Sequence, residues 1–170
     1  MRKVMQLGVI GAGAISDIYL KNLTTLFENV QVKSVCARHI ERAQIKAEQY
    51  DIQACTLDQM LSDPEIRMVV VLTPVDTHYE IIKQALLAGK HVYTEKTIAG
   101  TTEEARELCA LADTKNLYLG SAPDTFLGTC FQTARKAIDD GLIGEIHSFS
   151  IAISRNNDFG MALFPFLRLP

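Results

Sequence analysis

In the stretch Leu7–Leu20, LGVIGAGAISDIYL, the small residues Gly11, Gly13 and Ser16 interrupt an apolar run just before a helical pattern begins. A strand-to-helix turn that receives a diphosphate needs a glycine for the sharp bend and a second glycine for close approach of the ligand. It also needs a third small residue for helix–strand packing. Gly11, Gly13 and Ser16 fill those places in order, with serine where glycine or alanine is usual. The first amides of such a helix lack intrahelical acceptors and lie at the positive end of its dipole. The segment Gly11, Ala12, Gly13, Ala14, Ile15 is therefore expected to cradle a dinucleotide's diphosphate. The competing reading is a tight β-to-α connection that binds nothing. About 20 residues further on, a carboxylate usually holds the ribose 2′-hydroxyl of NAD. Here VKSVCARHIERA closes the second strand on Ala37-Arg38. With no acid to repel a 2′-phosphate, and with Arg38 and Arg42 able to offer forked donors, NADP is expected, with NAD as the alternative. Arg38 could instead be a solvated residue that only stacks on adenine. Glu95-Lys96 ends a later strand on the side where α/β sheets bind ligands. A lysine there can hydrogen-bond a substrate oxygen and stabilise charge developing during hydride transfer. Taken alone, the same pair reads equally as a surface ion pair.

Alternating elements must position these residues. Met5–Ile10, Val30–Cys36, Arg67–Leu72, His91–Thr94 and Asn116–Gly120 read as strands, from short apolar or β-branched runs bounded by turn residues. Helical spacing or composition predicts helices over Ala14–Phe27, Ile40–Tyr50, Leu57–Leu61, His78–Ala88 and Leu127–Asp140. Asp76 or Thr77 is expected to cap the fourth predicted helix, and Gly89 to stop it. The TTEE of Thr101–Glu104 is a capping-box pattern opening a further helix to Ala112. A last strand is expected at Glu145–Ile153. Strand and helix alternate along most of the chain, which predicts an α/β fold: a doubly wound parallel sheet with helices on both faces.

The 170 residues are 48% hydrophobic and 22% charged, ordinary values for a chain with a real core. A net charge of −3 gives no basic face for a nucleic acid. No apolar run reaches the roughly 18 residues of a membrane span, and the first residues lack a signal peptide's apolar stretch. The four cysteines form no CxxC pair, so no metal site is expected. A soluble, cytoplasmic, reduced protein is expected.

The stretch TPVDTHYEIIKQALLAGKHVYTEKTIAGT, together with GVIGAGAIS and the LIGEI of Leu142–Ile146, resembles the Gfo/Idh/MocA oxidoreductases. The likeness runs through nearly the whole chain. It implies a first domain with an NAD(P)-binding Rossmann fold, and a second built on an open antiparallel sheet that shapes the substrate pocket. The substrates it implies are sugars, polyols and related carbohydrates. The CAR of Cys36–Arg38 looks like the NADP-using branch. On this resemblance Thr73 and Pro74 line the nicotinamide side, Glu95 contacts the cofactor's ribose, and Lys96 is the catalytic lysine. His78 lies near the cofactor, or alternatively helps to cap its helix. Residues 1–122 are then the Rossmann domain, and 123–170 the start of an incomplete second, α+β domain represented by its first strand. Association between copies is expected through that second sheet.

Two departures bear on these expectations. The family usually reads Glu-Lys-Pro, whereas Thr97 follows Lys96 here, and proline is the residue that makes a cis peptide easily reached. The segment GSAPDTFLGTCFQTARKAIDDG lacks the family's arginine-rich stretch, and Asp124 could supply a polar contact instead. The expected reading is a cofactor-binding part that turns over little by itself. The rival is a non-catalytic nucleotide-binding or regulatory module.

Overall fold

Strand β4 (Ile66–Val71) shows how the sequence builds this protein. Val69 and Val71 face one apolar cluster while Val70 faces another, so both sides of the strand are buried. A strand covered on both faces reads as a continuous apolar run, which is why RMVVVL is legible in the sequence. The computed structural model describes residues 4–123, 125–148 and 150. The chain divides into two compact units, Met1–Pro123 and Asp124–Pro170.

In the first unit the elements are β1 (Met5–Ile10), α1 (Ser16–Thr25), β2 (Val30–Cys36), α2 (Ile40–Tyr50), β3 (Gln53–Cys55) and α3 (Leu57–Ser62). After β4 come α4 (His78–Leu87), β5 (His91–Thr94), α5 (Thr102–Thr114) and β6 (Leu119–Ser121). The described strands form one parallel sheet in the order β3-β2-β1-β4-β5-β6. This is the doubly wound α/β arrangement, with order reversing between β1 and β4. On one face Leu7, Val9, Val32 and Val35 meet Leu20 of α1 and Ala43 and Ala47 of α2. On the other, Ile10, Val69, Val71 and Val92 meet Met60, Ile82, Leu86 and Leu108 of α3, α4 and α5. Gly8 faces this second layer, where a Cβ would lie 2.5 Å from the Met60 sulfur.

Where boundaries differ from expectation, local chemistry explains it. α1 starts at Ser16, two residues late, because the Ser16 hydroxyl donates to the Gly13 carbonyl at 2.6 Å and holds a turn there. β3 has only three residues, too few for a pattern, and exists by pairing with Ser34–Cys36 of β2. Asn116 adopts a left-handed conformation (φ 54°) and its N–H bonds the Asp113 carbonyl, so it ends α5 and the strand starts only at Leu119. Neither Asp76 nor Thr77 caps α4 with its side chain; a 3₁₀ turn at Val75–Thr77 leads into it. The Thr101–Glu104 capping box forms on α5, and a second one forms at Thr56–Gln59 on α3. Gly89, at φ 75°, ends α4. The Lys96–Thr97 and Ala122–Pro123 peptide bonds are cis.

Lys90 follows that glycine and is only 5% exposed. Its ammonium donates to the carbonyls of Asp63 at 2.6 Å and Ile66 at 2.8 Å, tying the end of α4 to the start of β4. Burial pushes its pKa down from the ordinary lysine value. Lys90→Met removes both donors and leaves two carbonyls short of partners. It is expected to cost about 2 kcal/mol, read as a lower urea midpoint with an unchanged slope; an unmoved midpoint would contradict this anchor.

The second unit, as described, holds a 3₁₀ turn at Thr125–Leu127 and α6 (Thr129–Asp139), with Arg135–Asp139 and Lys136–Asp140 ion pairs along its exposed face. Of the strand expected at Glu145–Ile153, Glu145–Ser148 form no ladder; Phe149 and 151–153 lie outside the described residues, as does Asp124.

Candidate functional site

The chain leaves β1 for α1 on one face of the sheet and leaves β4 for α4 on the other, so a crevice opens between their carboxyl ends. It holds a cleft of about 460 Å³, within the usual range for ligand pockets. Gly11, Ala12 and Gly13 form one wall, and Thr73 and Pro74 the opposite one. Gly11 has φ +115°, and a Cβ there would lie 2.8 Å from the Leu72 carbonyl carbon. Only glycine satisfies both the bend and the approach of β1's end to β4's end. Gly13 differs: a Cβ on it would meet nothing within 4 Å. Its missing side chain leaves open space in front of the amino end of α1. Ser16 is fully buried and locks the turn through its bond to Gly13.

Ala37, Arg38 and Arg42 line the same cleft at the end of β2. Both arginines are exposed, and neither guanidinium has a hydrogen-bond or ion-pair partner among the described residues. Cys36 lies in the floor; burial, with Cys55 nearby, pushes its thiol up to about 12, so it stays a neutral, small apolar group. The sequence reading missed His39, which lines the cleft between the two arginines at the amino end of α2. It also missed the apolar walls Leu57 and Ile81. His39 was discoverable, since it adjoins Arg38 on the same strand-to-helix turn. Thr77 also lines the cleft, its hydroxyl 2.8 Å from the Pro74 carbonyl and 2.9 Å from the Thr73 hydroxyl. Amides at one end and unpaired cations at the other suit an elongated anion with two charged groups.

The remaining expected residues do not line this cleft. Ala14 borders a shallower depression beside it with Asp17 and Lys46, and Ile15 is exposed outside both. His78 is a correction: it is fully buried, neither facing the cleft nor capping α4. Its Nε2 lies 2.7 Å from the Thr73 carbonyl and its Nδ1 2.7 Å from the Thr97 carbonyl, so the ring bridges the turns after β4 and β5. Glu95 and Lys96 follow β5, where the Glu95 N–H bonds the Val71 carbonyl at 2.9 Å. The Glu95 carboxylate accepts the Tyr19 hydroxyl at 2.7 Å and the Lys96 N–H at 3.1 Å. Burial first, and then this carboxylate, push the Tyr19 phenol well above its usual range. Lys96 is exposed, and its ammonium has no partner among the described residues. The surface ion pair is therefore not formed: Glu95 ties α1 to the end of β5 and leaves the lysine free.

Known proteins share this architecture. The uncharacterized oxidoreductase YhhX of Escherichia coli is 46% identical over 90 residues, covering 53% of this chain and 26% of that protein. The scyllo-inositol 2-dehydrogenase (NADP(+)) IolW of Bacillus subtilis is 28% identical over 91% of this chain and 43% of its own length. The crystal structure of GenD2 from gentamicin A biosynthesis, in complex with NAD, superposes with a TM-score of 0.78 at 28% identity, covering 82% of this chain and 40% of that one. The chain thus spans less than half the length of these relatives. Among the described residues no helix is long and apolar enough to cross a membrane. The model of the oxidoreductase family with an NAD-binding Rossmann fold matches residues 5–122, and the chain belongs to that Gfo/Idh/MocA family.

Proposed function

We propose that this chain is the cofactor-holding part of an NAD(P)-dependent dehydrogenase acting on a CH–OH group of a sugar, polyol or related carbohydrate. The observation that carries the reading is the Gly11–Ser16 turn at the reversal point of the sheet, with open space above Gly13 and, across the same cleft, Arg38 and Arg42, unpaired among the described residues. A nicotinamide dinucleotide fits this arrangement, and when bound it supplies a hydride acceptor or donor. The residues of the chain do the rest. Amides from Ala12 to Ile15 hold the diphosphate, while the Gly11 N–H donates to the Cys36 carbonyl at 2.8 Å and fixes the bend. Ala37 makes room beside the adenosine ribose, where Arg38 and Arg42 take a 2′-phosphate, so NADP is preferred to NAD. Thr73 and Pro74 border the nicotinamide end, and Glu95 orients that ribose. Lys96, with its ammonium free, hydrogen-bonds the substrate oxygen and steadies the charge on it. The substrate class follows the inositol dehydrogenase among the relatives. Residues 1–122 act as the cofactor domain, and 123–170 belong to a second domain through which copies associate.

Thr97 in the place of the family's proline favours a second reading, a nucleotide-binding module without turnover. Titrating the chain with NADPH and NADH, followed by nicotinamide fluorescence, tests the common ground of both. Saturable binding is expected, tighter for NADPH and unchanged in Lys96→Ala. No binding of either nucleotide overturns the proposal.

A further inference from the structure

Asp17 lies in the first turn of α1, the turn whose amides face the diphosphate in the function proposed above. An acid there is favourable for the helix by itself, because it meets the positive end of the dipole. Beside a bound diphosphate it is a liability, since two like-charged groups then share one positive terminus. The structure contains a remedy. Lys46, from α2, reaches across with its side chain 16% exposed and bonds Asp17 Oδ1 at 2.5 Å. The Tyr50 hydroxyl lies 3.1 Å from the Asp17 carbonyl and 3.2 Å from the same carboxylate oxygen. Asp17 and Lys46 border the same depression as Ala12, Gly13 and Ala14.

Resting on the dinucleotide reading, we propose that Lys46 is a positioning residue that neutralises Asp17 and so keeps the amino end of α1 receptive to the diphosphate without touching it. Lys46, chiefly through its hydrogen bond, also holds the Asp17 carboxyl below the usual carboxylate range, so at neutral pH Asp17 is a full negative charge that needs a counterpart. Removing Lys46 exposes that charge to the ligand. Coulomb repulsion at a screened surface then weakens binding by about fivefold to tenfold.

The test is titration of the 170-residue chain with NADPH and with NADH at low salt and at about 1 M salt, where the Debye length falls to ~3 Å. Lys46→Met is expected to bind both nucleotides about fivefold to tenfold more weakly at low salt, and the loss is expected to shrink below about twofold at high salt. Lys46→Arg retains affinity, and Asp17→Asn/Lys46→Met recovers it, which a loss of packing alone would not do. Asp17→Asn by itself, which keeps the lysine's packing, binds as tightly as wild type or more so. Wild type that binds while Lys46→Met binds equally well overturns this inference alone. So does a double variant as weak as Lys46→Met, or an Asp17→Asn weaker than wild type. A wild type that binds neither nucleotide removes the dinucleotide reading and this inference with it.

Discussion

Gly11→Ala is expected to destabilise the fold by about 3 kcal/mol or more, while Gly13→Ala leaves stability within about 0.5 kcal/mol of wild type and lowers nucleotide affinity at least about tenfold. The two glycines lie two residues apart in one motif, yet their constraints differ. At Gly11 a side chain meets both a backbone angle that disfavours it and the Leu72 carbonyl at 2.8 Å. No rotamer relieves a clash at Cβ, so the end of β1 must move away from β4. At Gly13 the protein offers no clash within 4 Å, so any penalty comes from the ligand. Urea unfolding measures the first effect and nucleotide titration the second. Equal stability losses at the two positions, or unimpaired binding by a folded Gly13→Ala, would contradict this division of roles.

Arg38→Glu is expected to weaken NADPH binding about 100-fold and NADH binding less than about threefold. A charge-assisted hydrogen bond to phosphate is worth about 1.5–3 kcal/mol, and the substitution adds repulsion to that loss. About 2.7 kcal/mol corresponds to 100-fold. Arg38 has no protein partner to compensate among the described residues, so the change falls on the ligand and not on the fold. Parallel titrations at one ionic strength decide it. Equal losses for both nucleotides would place Arg38 on a part they share, such as the adenine face.

The features legible in the sequence were those with few chemical solutions. A bend with positive φ against a neighbouring strand admits glycine, so Gly11 announced the turn. A doubly buried strand must be apolar throughout, so β4 was readable. The Thr101–Glu104 box was readable because both of its bonds are local. What stayed hidden depends on residues far apart in the chain. The Tyr19–Glu95 bond spans 76 positions and decides that Glu95 does not pair with Lys96. His78 looks like a polar helix start in sequence, and only the fold brings the carbonyls of Thr73 and Thr97 to its two nitrogens. Lys46 and Asp17 meet because α1 and α2 share one face of the sheet, which spacing alone does not reveal.

The central claim is that backbone N–H groups before and at the start of α1 hold a nucleotide diphosphate. Amide NMR of the chain during titration with NADPH tests it residue by residue. The largest shifts are predicted at Gly13, Ala14 and Ile15, with a second group at Ala37 and Arg38. Saturable binding that leaves Gly13–Ile15 unmoved would contradict the account.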